Sequence, residues 1–110
     1  MTTEVDDNFF ARADAVIQLA NEQLGNIGRG KVSASCMYAT ARFNAWVSAT
    51  GFTSQAEMRA RKAETLDYFV AQYRAMLEDH LDDYAENFEQ YMRVGVLDGA
   101  FFHASARSSS

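Results

Sequence analysis

The sequence predicts an all-α fold, a small bundle of three long helices in which the third is kinked or broken near residues 80–83 to give a short fourth. The 110-residue chain contains no proline. Its apolar residues recur at helical spacing, and alternating runs typical of strands are few. At 48% hydrophobic residues it is too apolar to be disordered and can form one modest core. We expect one helical domain over residues 1–94 and a flexible tail over residues 95–110.

The first helix is indicated by a narrow apolar arc that follows two aspartates. Asp6 or Asp7 can cap its N-terminus. Gly25 stands where a C′ glycine would end it. The apolar arc comprises Phe9, Phe10, Ala13, Val16, Ile17, Ala20 and Leu24.

A glycine-rich segment then separates the first two helices. Gly25, Gly30 and Lys31 match part of a phosphate-binding loop, but Val32 replaces the Ser or Thr that would bind magnesium. A helix also precedes the segment where that motif requires a strand. We therefore interpret it as an interhelical turn, with a weaker anion site near a helix N-terminus as the alternative.

The second helix, from about residue 33 to 49, is apolar on most sides and is expected to be central. Thr40, Asn44 and Ser48 form its polar seam. Trp46 is expected to be buried against the third helix.

The third helix opens with a capping box formed by Ser54 and Glu57. A continuous helix to Arg93 would span about 60 Å, too long for a compact chain of this size. Asp82 or Asp83 could cap a new helix after a break, although the apolar phase continues through that point. The apolar side carries Leu66, Phe69, Val70, Tyr73, Met76, Leu77, Leu81, Tyr84, Phe88 and Tyr91, and acids occupy the opposite side.

Charge is divided along the chain, whose formal net charge is −5. Residues 29–62 hold six basic residues and one acid, whereas residues 64–92 hold eight acids and one arginine. Such segregation could steer a partner or pair two copies, but a solvated acidic face explains it equally simply.

No constellation for catalysis or for binding a metal or a cofactor is found. Leu77, three residues before His80, removes the Glu-x-x-His pair of di-iron sites. Cys36 is the only cysteine, which suits a reducing compartment. The N-terminus does not resemble a signal peptide, and no apolar run reaches the roughly 20 residues of a membrane span. We expect a cytoplasmic protein without enzymatic activity, cofactor or membrane contact.

Several stretches resemble a small proteobacterial family known as domain of unknown function 3144. The resemblance covers about residues 9–92 and implies a small helical bacterial protein, with no activity, ligand or catalytic residue attached. It is carried by FARAD (residues 10–14), LAN (19–21), GKVSAS (30–35), YA (38–39), ARFNAW (41–46), LDDY (81–84), NF (87–88) and YM (91–92).

These observations favour a noncatalytic module for protein–protein interaction, whose partner is another protein or a second copy of the chain. The alternative is binding of a nucleic acid or another anion at one end of the bundle. The acidic net charge disfavours this alternative, because phosphate contact usually requires a basic domain. Its candidate contacts are Arg29, Lys31, Arg59, Arg61 and Lys62.

Overall fold

The computed structural model describes residues 5–98, which form helices and no strand. In chain order the helices are α1 (Phe9–Glu22), α2 (Arg29–Ala49), α3 (Gln55–Ala60), α4 (Lys62–Glu86) and α5 (Phe88–Asp98). The predicted all-α class with three long helices is confirmed, since α1, α2 and α4 contain 14, 21 and 25 residues. No described helix combines the length and the apolar character that crossing a membrane requires.

The described residues divide into two compact units. Residues before Ser35 and after Glu86 belong to the first, and Ser35–Glu86 form the second. The expectation of one domain over residues 1–94 stays a prediction. Of the predicted tail, residues 95–98 belong to α5, and residues 99–110 lie outside the described part of the chain.

In the first unit, the covered side of α1 corresponds to the apolar arc predicted from the sequence. Phe10, Ala13, Ile17 and Leu24 are half-buried at helical spacing, although Val16 is exposed. The prediction that Asp6 or Asp7 caps this helix is wrong, because the N-cap residue is Asn8; Asp6 Oδ1 instead accepts a hydrogen bond from the Asn8 backbone N–H at 2.8 Å. The side chain of the N-cap residue itself makes no capping hydrogen bond.

Two features end α1 and begin α2. Contrary to the prediction, Gly25 lies one residue beyond the C′ position, because the C-cap of α1 is Gln23, and its φ of +27° is in the region that favours glycine. Val32, which departs from the phosphate-loop motif, is a buried side chain with 8% exposure. Its burial indicates that this position contributes to packing.

In the second unit, α3 begins as predicted. The Ser54 side chain accepts a hydrogen bond from the Glu57 backbone N–H at 3.0 Å. Glu57 Oε1 in turn accepts from the backbone N–H of Thr53 at 2.7 Å, one residue before the usual reciprocal donor of a capping box. These bonds satisfy N–H groups that the helix start leaves without a partner.

The expected break near residues 80–83 is displaced to Asn87. Helix α4 is continuous through those residues and ends at Glu86, and α5 resumes at Phe88. Asp83 does not cap a new helix, because it lies inside α4. It is also only 7% exposed. A further interruption, which the sequence did not predict, separates α3 from α4 at Arg61.

The prediction that Trp46 is buried against the third helix is wrong. Its side chain is 63% exposed. The better covered side of α2 includes Asn44 and Ser48 of the polar seam together with the half-buried Cys36 and Val47, whereas Thr40 of the seam is exposed. The aromatic rings of Phe43 and Trp46 are open to solvent.

Candidate functional site

An exposed apolar surface runs along α4, and we call it the α4 stripe. Consecutive members are separated by three or four residues, which places them on one side of the helix. Each of their side chains is between 40% and 60% exposed. The α4 stripe consists of Leu66, Val70, Tyr73, Leu77 and Leu81.

The better covered side of α4 carries both polar and aromatic residues. Asp83 is the most buried described residue of α4, and Gln72 is half-buried. Both residues make an interaction within the chain, so neither is without a partner. Tyr68, Phe69 and Tyr84 are half-buried on the same side. An amphipathic helix ordinarily buries its most apolar side, whereas α4 covers this mixed side and leaves the leucines and the valine of the stripe exposed.

Exposed apolar side chains are also found on α2. Phe43 and Trp46, which we call the α2 aromatic patch, are both exposed, and their ring centroids lie 5.9 Å apart. Together with Ala39 they line a shallow, open depression. On the covered side, the hydroxyl of Ser48, which is only 4% exposed, donates to the Asn44 carbonyl at 2.9 Å. Within the second unit, both α2 and α4 thus leave large apolar side chains open to solvent.

The five basic residues predicted to contact an anion are all exposed. Arg29 and Lys31 lie in the first turn of α2, within the first unit. The other three lie at the junction of α3 and α4 in the second unit. One of these, Arg61, forms an ion pair with Glu64 at 3.1 Å. Part of the positive charge at this junction is therefore already neutralised within the chain.

The resolved pKa shifts belong to contacts at helix starts. The guanidinium of Arg12, 2.9 Å from the Asp6 carboxylate, lowers the pKa of Asp6, and the backbone N–H of Asn8 lowers it further. The backbone N–H and then the hydroxyl of Thr53 lower the pKa of Glu57. Asp6 is exposed and Glu57 is half-buried, and each carboxylate has a partner within the chain.

Among the described residues, no group of three or more His, Cys, Asp or Glu side chains is arranged to hold a metal ion. Cys36 is a free, half-buried thiol. Within the described range, the feature that most requires a functional explanation is therefore the exposed apolar surface of the second unit.

Comparison with known proteins places the chain in a family. A family model described as a protein of unknown function (DUF3144) matches residues 9–85. No curated protein matches the chain. Among solved structures, the chain is similar to the NMR structure of the protein NB7890A from Shewanella sp, with 42% sequence identity and a TM-score of 0.68. That similarity covers 84% of this chain and 98% of the other. The chain thus belongs to the DUF3144 family of proteins of unknown function.

Proposed function

We propose that the chain is a noncatalytic module for protein–protein interaction and that the α4 stripe is its docking surface. The observation that supports this most directly is the exposure of the apolar stripe on α4. Leu66, Val70 and Leu81 each remain more than half exposed, while Asp83 is buried. Single exposed apolar residues are common on protein surfaces, but contiguous apolar patches mark interaction sites.

A partner that covers the α4 stripe would gain the free energy of removing apolar surface from water. That gain is about 25 cal/mol for each Å² buried. The stripe contains no charged side chain, so covering it would leave no unpaired charge at the centre of the contact. Tyr73 supplies an aromatic side chain of the type enriched in such contacts.

Site-specific photo-crosslinking in the native cell tests this proposal. A photoreactive phenylalanine analogue is placed at Val70 on the stripe or, as the control, at Ala75 on the opposite side of α4. Both positions are exposed, so either replacement leaves the helix intact. We expect a discrete adduct of higher mass from position 70 and none from position 75. No adduct from position 70, or the same adduct from both positions, would overturn the proposal.

Binding of a nucleic acid or another anion remains the alternative function. The exposure of its five basic residues favours it, whereas the net charge of −5 and the ion pair of Arg61 oppose it. Fluorescence titration with mixed DNA and RNA at low ionic strength distinguishes the two functions. Salt-dependent binding would support the alternative, and no binding would eliminate it.

A further inference from the structure

We propose that the partner of the α4 stripe is the α4 stripe of a second copy of the chain, and that the two helices pair antiparallel. This inference rests on the proposed function and specifies its partner. It follows from the spacing of the stripe, from the distribution of charge along α4, and from the charged residues beside the stripe.

The spacing of the stripe is that of a coiled-coil seam. Leu66, Val70, Tyr73 and Leu77 are separated by four, three and four residues, as at positions d, a, d and a of a heptad repeat. All four side chains are exposed along the continuous helix α4. A second helix with the same seam fits them by knobs-into-holes packing, and a second copy of the chain supplies such a helix.

The charge along α4 selects the orientation of the pair. Acidic residues dominate the second half of α4, which contains no lysine or arginine, whereas acids and bases balance in its first half and three basic residues lie at the α3–α4 junction. A parallel pair would set the two acidic halves side by side, whereas an antiparallel pair sets each acidic half beside the first half of α4 and the basic junction of its partner. Opposed helix dipoles favour the same orientation. The basic residues are Arg59, Arg61 and Lys62, and the exposed acidic residues are Glu78, Asp79, Asp82 and Glu86.

The residues beside the seam select the register. When Leu66 of one copy packs against Leu77 of the other, Asp67 lies beside Arg74 of the second copy. Twofold symmetry forms this pair of opposite charges twice. A shift of one heptad would instead bring the two Arg74 side chains together. Asp67 and Arg74 are both exposed, and each is accessible to a second copy.

Disulfide trapping tests both orientation and register. In a Cys36→Ser background, Leu66→Cys chains with a size tag are mixed with untagged Leu77→Cys chains and oxidised. We expect mostly the mixed disulfide, because the antiparallel register brings these positions together. In the same register, position 66 of one chain and position 66 of the other are about 16 Å apart along the helix axis, at 1.5 Å per residue. A disulfide cannot span that distance. Ala75→Cys chains, with the cysteine on the opposite side, should form no disulfide-linked dimer on oxidation.

A second pair of variants, Val70→Cys with Tyr73→Cys, tests the same register independently. Circular dichroism of each variant establishes that it remains helical before oxidation. Self-disulfides at position 66 in place of mixed ones would indicate a parallel pair and overturn the inference. If neither pair of variants forms a disulfide, the partner is not a second copy. In that case a photo-crosslinked adduct of another protein at Val70 would preserve the proposed function, and its absence would remove both proposals.

Discussion

Trp46 is the largest side chain in the sequence, and its contribution depends on how much of it is buried. It is 63% exposed and contacts the ring of Phe43 on the same helix. Truncation of an exposed side chain leaves no enclosed cavity, so the cavity cost of a core substitution is absent. At the scale of single residues, a small buried group can therefore matter more than this large exposed one.

We predict that Trp46→Ala lowers the free energy of unfolding by less than about 1.5 kcal/mol, well below the ~3–5 kcal/mol of a buried tryptophan. Val32→Ala is the comparison, because Val32 is buried. It is expected to cost about 2 kcal/mol from lost burial and the cavity left behind. Urea denaturation followed by circular dichroism measures both. A larger loss for Trp46→Ala than for Val32→Ala would contradict the observed exposure.

The sequence predicted the helical phase of individual side chains more reliably than their burial. The half-buried side of α1 matches the predicted arc, apart from Val16. For α2, periodicity separated the aromatic side from the Asn44–Ser48 seam, but the assumption that the aromatic side is buried was wrong. Periodicity identifies the sides of a helix, whereas burial also depends on what each side meets.

At the scale of a helix, the start of α3 shows how local hydrogen bonds fix an element. Ser54 accepts from the backbone of Glu57, and the Glu57 carboxylate accepts from the backbone and the hydroxyl of Thr53. The contacts to Thr53 favour the ionised carboxylate and lower the pKa of Glu57. Their contribution to stability is therefore expected to depend on pH.

We predict that Glu57→Gln destabilises the protein at neutral pH and that the difference from wild type disappears in acid. Because the folded state lowers the pKa of Glu57, its stabilisation is present above the unfolded-state pKa and is lost as the pH falls through the folded-state value. Ser54→Ala is the control, since a serine cap does not titrate. Its loss of about 1 kcal/mol should persist over the same pH range.

Urea denaturation at several pH values measures the stability of both variants. A deficit of Glu57→Gln that is independent of pH would show that its ionised form is not responsible. The contribution assigned to the contacts with Thr53 would then be withdrawn.

Helix boundaries could be predicted from the sequence only where capping residues mark them. The capping residues of α3 are readable in the sequence, whereas the interruptions at Arg61 and Asn87 lack the glycine and proline that usually mark a helix end. Asp83 offered a plausible cap, but it is buried within α4. The presence of a residue able to cap a helix therefore did not determine where the long helical segment is interrupted.

At the scale of the whole chain, the apolar stripe and the division of charge lie on the same long helix. The sequence revealed both, but periodicity alone could not show whether the stripe meets another helix of its own chain or a separate partner. Exposure of Leu66, Val70 and Leu81 favours a separate partner. The charges of Asp67 and Arg74 favour a second copy in an antiparallel arrangement.

Sedimentation equilibrium of the wild type, Val70→Glu and Ala71→Glu tests the central claim most directly. Val70 is on the stripe, while Ala71 is exposed on another side of the same helix turn, so the two variants differ mainly in where the carboxylate is placed. We predict that the wild type and Ala71→Glu sediment as dimers and that Val70→Glu sediments as a helical monomer, because pairing would bury its unpaired charge. A wild type that sediments as a monomer, or a Val70→Glu variant that remains dimeric, would contradict pairing through the α4 stripe.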